Sequence, residues 1–324
     1  MTTLPPEEAL SSLYTNTNDA LSEKRITSTN AQAQAQAQTN TTTASKGPFI
    51  DRNLKFSSTE RNILTVTTVQ ISPFRTLMTA LKDILMETNI TFDTEGIRII
   101  NMDKSHTILI NLNLPAENFE YFEIKYSKIV IGVNMLHLFK LINQIENEDT
   151  LTIYIEKEDY NEGIVSHLSL KFENGKKRQC KIHKLKLLEP EQDELKYPDV
   201  KFSSILLLPS ADFQKIIRDF ASLSEKVEIK SVGNELIFTS KGTIVDTVLR
   251  RGESEGLDFV SKQDVTKVIQ GEYSLKNLNY FIKCTNLCSQ IELFFENDLP
   301  LVVKYKVASL GCIQLCLSLL DLED

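Results

Sequence analysis

From Ile63 onward the apolar residues fall into short runs with two kinds of spacing. Phe74, Leu77, Met78, Leu81, Ile84 and Leu85 recur at helical spacing and predict a helix over about 73–86 that buries one stripe. Ser72 is its expected cap and Pro73 its first residue, where a missing N–H leaves no bond unmade. A second such stretch, about 211–222, carries Phe213, Ile216, Ile217 and Phe220. Segments such as Ile97-Arg98-Ile99 and Leu168-Ser169-Leu170 alternate instead, as half-buried strands do.

The two helical stretches belong to an internal repeat. Phe74 to Met78 is matched by Phe213 to Ile217 at a shift of 139. Met135, Leu138, Leu141 and Ile142 are matched by Leu275, Leu278, Phe281 and Ile282 at a shift of 140, and the predicted strand Thr150 to Ile155 meets Gln290 to Phe295 at that same shift. Each copy reads strand, helix, several strands, second helix, several strands. That order predicts an α+β class, antiparallel sheet with helices on one face.

Composition sets the boundaries. Residues 1–60 are rich in Thr, Ser, Asn, Gln and Ala, include AQAQAQAQ from Ala31 to Gln38, and are expected to be a disordered low-complexity extension. The copies are expected at 61–186 and 202–324. Between them, 187–201 holds five carboxylates and two prolines, as a linker does, yet also Leu187, Leu188, Leu195 and Tyr197, more apolar surface than a tether needs. Residues 250–268 read as a mobile charged loop.

No apolar run is long enough to span a bilayer, and MTTLPPEEAL lacks the pattern of a secretory leader, so an intracellular, reducing setting without membrane contact is expected. Five cysteines form no even disulfide framework. The pairs Cys284/Cys288 and Cys312/Cys316 lie in apolar periodic segments and lack the tight turns of structural zinc sites, so they read as buried thiols. No metal and no cofactor are expected.

The net charge of −8 opposes nucleic-acid binding, but its distribution does not. The four predicted helices carry Arg75, Lys82, Lys140, Lys215, Arg218, Lys276 and Lys283, with His137, against only Asp83, Asp212 and Asp219. Basic helix faces in an acidic chain are suited to phosphate, and the absence of interleaved aromatic residues or a recognition-helix signature points to loose, sequence-independent contact with duplex.

The stretch from Leu77 to Leu114, with Leu81-Lys82-Asp83 in its helix and the M-D-x-S-H turn from Met102 to His106, resembles the opening of the PCNA family of DNA sliding clamps. Gly132 to Asn134 and Pro300 to Gly311 are similar to two further signatures of that family, and the likeness extends from about residue 63 to 321. The resemblance implies two similar clamp (processivity-fold) domains per subunit and a ring of three subunits, with sheets outside and helices lining a central channel. It implies that Arg75, Lys82, Lys140, Lys215, Arg218 and Lys283 face that channel, with Lys276 on the same helix.

It also makes 187–201 an interdomain connecting loop. Beside it would lie a docking pocket for the short motif of DNA polymerase and other partners, formed by Met102, His106, Leu109, Leu195, Tyr197, Pro300, Cys316 and Leu319. Cys316 and Leu319 stand where the family has Tyr and Pro, which implies a reshaped pocket. The basic strand within Gly175 to Lys186 would form the subunit interface against a strand at about 241–250.

The implied function is a non-enzymatic sliding clamp. It would encircle double-stranded DNA as a processivity factor and docking platform for replication and repair proteins, assemble as a homotrimer with a clamp loader as partner, and work in the nucleus or at a site of viral DNA replication. No phosphate-binding loop, nucleophile elbow or zinc-protease motif supports an enzyme. Two alternatives keep the fold: a monomeric DNA-binding processivity factor, for which the basic strand is the argument, and a checkpoint-type subunit of a hetero-oligomer.

Overall fold

The computed structural model describes residues 61–320 except 191–194, 196, 198–199, 255 and 261–266. The expected N-terminal extension and parts of both predicted loops therefore lie outside the described residues.

The first copy runs β1 (Asn62–Thr68), α1 (Ile71–Ile84), β2 (Glu87–Asp93), β3 (Gly96–Met102), β4 (Ile108–Pro115), β5 (Tyr121–Ile124), β6 (Lys128–Asn134), α2 (Met135–Ile142), β7 (Thr150–Glu156), a small hairpin of β8 (Tyr160–Asn161) and β9 (Ile164–Val165), β10 (His167–Asn174) and β11 (Gln179–Lys186). The second runs β12 (Ser204–Pro209), α3 (Ser210–Ala221), β13 (Lys226–Val232), β14 (Glu235–Lys241), β15 (Asp246–Gly252), β16 (Asp258–Phe259), β17 (Val268–Ser274), α4 (Leu275–Phe281), a 3₁₀ segment Ile282–Leu287, β18 (Gln290–Phe295), β19 (Leu301–Val307) and β20 (Gly311–Leu317).

Strand pairing shows the repeat in three dimensions. The order β11-β10-β7-β1-β5 in the first copy is matched by β20-β19-β18-β12-β16 in the second, and β4-β3-β2-β6 by β15-β14-β13-β17. The copies are fused because β20 pairs antiparallel with β4, from Cys312 opposite Asn113 to Leu317 opposite Ile108, which makes one nine-stranded sheet. Ile110, Leu112, Ile313 and Leu315 on this seam are each no more than 1% exposed, so one apolar core runs through both copies. Burying such side chains contributes roughly 1.5–3 kcal/mol apiece. Gly311 opens β20 at φ +155°, with the position of a Cβ only 2.2 Å from the Asn113 carbonyl, so no side chain fits where the strands first meet.

The helices form one layer. Helix α1 packs on α2, α3 packs on α4, and the 3₁₀ segment lies against both α1 and α3. The second helix of each copy starts in the same way: the Asn134 side chain accepts from the His137 N–H and Ser274 Oγ from the Asn277 N–H, capping residues related by the 140-residue shift.

Helix boundaries needed two corrections. Helix α1 starts at Ile71, with Gln70 in the cap position and no side-chain capping bond, so Ser72 lies inside the first turn and Pro73 at its third residue. Proline is tolerated there because first-turn N–H groups have no partner within the helix. Buried Ile71 extends the apolar stripe by a residue that lay outside the expected helix. Helix α3 likewise starts one residue early, at Ser210.

Candidate nucleic-acid interface and docking groove

The expected basic residues all lie on the helix layer, but in two different conditions. Lys140, Lys215, Arg218 and Lys276 are exposed, and among the described residues none of them is in an ion pair. Phe213, Ile216, Ile217 and Phe220 bury the opposite stripe of α3, which turns Lys215 and Arg218 toward solvent.

Arg75, Lys82 and Lys283 are held. The Arg75 guanidinium donates to the Ile145 carbonyl, pinning α1 to the segment after α2. Lys82 Nζ is 2.6 Å from Asp83 Oδ1, while Lys283 pairs with the other oxygen of the same carboxylate. Burial pushes the Asp83 carboxyl up, but hydrogen bonds from Lys283 and Lys82 outweigh it and hold the group below the usual carboxylate range. With this one carboxylate engaged, the layer remains strongly positive.

On the opposite, sheet side the M-D-x-S-H turn is organised by Asp103. Its Oδ1 accepts from the N–H of Thr107 at 2.8 Å and of Ile108 at 2.7 Å, and Oδ2 from Ser105. His106 takes φ +56° in this turn and is exposed. Next to it a groove of about 420 Å³ is lined by Leu85, Met86, Ile100, Met102, His106 and Leu195.

The groove adjoins an apolar row that crosses both copies. Met102 faces Leu109, Leu109 faces Cys316, Cys316 faces Val302, Val302 faces Phe294 and Phe294 faces Ile205, all directly in register on successive strands. Tyr197 from the connector and Phe202 just after it pack on this row, with the Tyr197 hydroxyl 3.3 Å from Cys316 Sγ and the Phe202 and Phe294 rings 5.6 Å apart. Burial pushes the Cys316 thiol up to about 12 against the opposing hydrogen bond from Tyr197, so it stays protonated at neutral pH.

Of the expected pocket residues, Met102, Leu109, Tyr197 and Cys316 are thus in one cluster, and His106 and Leu195 line the groove with Met102. Pro300 is buried just before β19. Leu319 is a correction: it packs on the main core beside Gly271 and Tyr273, not on the apolar row, because the chain turns toward β17 after β20, where the Leu320 N–H bonds the Glu272 carbonyl. Sequence reasoning missed Ile100, Phe202, Ile205, Phe294 and Val302. A signal existed, since Phe294-Phe295 and Val302-Val303 break alternation with two apolar neighbours, as strands covered on both faces do.

Both halves of the chain match models of one known family. Residues 63–195 match the family model "Proliferating cell nuclear antigen, N-terminal domain", and residues 196–319 match "Proliferating cell nuclear antigen, C-terminal domain". The chain is 32% identical over 238 residues to a "Probable DNA polymerase sliding clamp" of Acanthamoeba polyphaga mimivirus, an alignment covering 71% of this chain and 48% of the relative, about half its length. It is 28% identical over 253 residues to "Probable DNA polymerase sliding clamp 1" of Paramecium bursaria Chlorella virus 1, covering 77% of this chain and 94% of the relative.

Proposed function

The chain belongs to the proliferating cell nuclear antigen family, and on that premise we propose that it is a DNA polymerase sliding clamp, a ring of three identical subunits that encircles duplex DNA and makes no or breaks no bonds itself. The division into an extension at 1–60, domains at 61–186 and 202–324 and a connecting loop at 187–201 is part of this reading.

The observation that carries ring closure is the mismatch between paired and unpaired edges. The seam β4–β20 is closed within the chain, whereas the repeat equivalents of those two strands, β15 and β11, are both sheet edges among the described residues. Carrying the seam's register over by the repeat sets Ile182 opposite Val248 of the partner subunit, and Lys184 opposite Asp246 of the partner subunit. Ile182 and Val248 are 56% and 57% exposed in the single chain, an unusual condition for β-branched residues on edge strands. One such contact per subunit is head to tail, and a rotation of one third of a turn per contact closes it into a ring of three.

Function then follows from topology. Lys140, Lys215, Arg218 and Lys276 line the hole with Arg75, Lys82 and Lys283 behind them, and they contact phosphates without reading bases, which permits sliding. A polymerase docked on the apolar row and groove rebinds at high effective concentration after each release. Its docking segment is a short helix with apolar anchors. A clamp loader opens the ring. Both relatives named above are viral, which favours a site of viral DNA replication; no helix among the described residues is long and apolar enough to cross a membrane.

The deciding experiment has two readings. Light scattering on the full chain should give three chain masses, and protein loaded onto nicked circular DNA should be retained until the circle is cut. A monomer at high concentration, or retention indifferent to cutting, overturns the ring and favours a monomeric face binder that uses the lysines of β11.

A further inference from the structure

We propose that Asp83 is a positioning residue that restrains two of the channel lysines, Lys82 and Lys283, and thereby limits how tightly the ring grips duplex. The inference rests on the sliding-clamp reading above.

The three groups come from distant parts of the chain. Asp83 and Lys82 are adjacent at the end of α1, and Lys283 belongs to the 3₁₀ segment of the second copy. Each carboxylate oxygen is engaged by a different ammonium, so neither lysine has the carboxylate to itself. Aromatic rings hold both from a second side: Lys82 Nζ is 4.9 Å from the Phe139 centroid and Lys283 Nζ is 5.3 Å from that of Tyr280. The Lys82 side chain is only 19% exposed as a result, and that of Lys283 38%.

A phosphate must therefore compete with a fixed carboxylate and a ring face to recruit either ammonium. The cluster contributes one net positive charge where two lysines stand. This arrangement exists once per subunit, because the repeat equivalents of Lys82 and Asp83 are Ala221 and Ser222. The second copy instead places Lys215 and Arg218 on α3 with no carboxylate partner among the described residues. Helix α3 thus supplies free charge, whereas the end of α1 and the 3₁₀ segment hold restrained charge.

The test is the salt dependence of duplex binding by the full-length protein, read by fluorescence anisotropy with a short blunt duplex. Asp83→Asn keeps the shape and removes the charge. It should steepen the slope of log binding constant against log salt by up to about 0.9 for each lysine released to phosphate. Asp83→Glu should keep the wild-type slope, and adding Lys82→Gln with Lys283→Gln to Asp83→Asn should cancel the gain. An unchanged slope in Asp83→Asn, or a gain that survives loss of both lysines, overturns the proposal; a purely structural tie would lower the denaturation midpoint and leave the slope alone. Should Asp83→Asn fail to fold, Lys82→Gln/Lys283→Gln in the native background decides. It should flatten the slope less than Lys215→Gln/Arg218→Gln, and an equal or greater flattening overturns the assignment. Native protein with no salt-dependent duplex binding sinks the clamp reading itself, a separate result.

Discussion

The two copies share a fold but differ along one line of residues on the outer face of the sheet. In the fused sheet that line reads Ile205, Phe294, Val302, Cys316, Leu109 and Met102. At the equivalent positions of the first copy it reads Thr65, Tyr154, Ser169 and Lys184, and it continues after the open edge with Asp246 and Lys241. The adjoining grooves differ likewise. The one beside Met102 has Leu85, Met86 and Ile100, while its counterpart, about 600 Å³, has Ser224, Glu225 and Thr239 at those positions. Both versions support the strands, since the side chains that build the core point the other way. The outer row is therefore free to vary, and only one of the two versions offers apolar surface for a partner helix to bury.

The seams give the sharpest way to break the comparison. Leu315→Ala on the closed seam removes a fully buried side chain and should cost about 2–5 kcal/mol, seen as a lower denaturant midpoint. Ile182→Asp on the open edge should leave the subunit's unfolding midpoint close to native while light scattering reports single chains in place of the ring. If Ile182→Asp remained a trimer, the carried-over register would be wrong.

Charge on the helix layer comes next in size. Lys215→Glu with Arg218→Glu should abolish retention on circular DNA at moderate salt, because two unpaired cations become anions in the path of phosphate. Lys82→Glu should have a visibly smaller effect, since Asp83 already holds that ammonium.

Making the docking row resemble its counterpart is a milder exchange. Met102→Lys copies Lys241 and should weaken capture of an apolar-anchored helical peptide at least about tenfold, or roughly 1.4 kcal/mol, in a titration that leaves DNA retention unchanged. Binding as tight as native would remove Met102 from the docking surface.

The smallest effect is expected in the core. Tyr305 is completely buried and its hydroxyl has no hydrogen-bond partner among the described residues, whereas strand register sets Phe172 at the matching place in the first copy. Burial alone pushes the phenol far above its ordinary range, with Cys284 and Cys288 adding to it. Tyr305→Phe should shift stability by less than about 1 kcal/mol and in the favourable direction, because an unsatisfied hydroxyl is removed with little change of shape. A marked loss in chemical denaturation would reveal a partner for that hydroxyl.

Much of this was legible from residue order. Periodicity is a local property, so α1 to α4 and the strands could be read from neighbouring residues, and the 139 and 140 shifts exposed the repeat because each copy must bury the same stripes. The basic helix faces were legible for the same reason. Helix starts were misjudged by one or two residues, since Ile71 and Ser210 are drawn into their helices by tertiary burial and not by capping chemistry. Leu319 was assigned to the docking pocket by position alone, and the direction the chain takes after β20 sent it elsewhere.

The sequence by itself determined an α+β chain with two copies, a positive helix layer and a connector richer in apolar residues than a tether. Tertiary structure alone decided that β20 joins β4, that Met102 and Cys316 share one row, and that Asp83 meets a lysine 200 residues away. Those outcomes depend on strand register and on contacts between distant segments. Such contacts leave no periodic trace in the residues that make them.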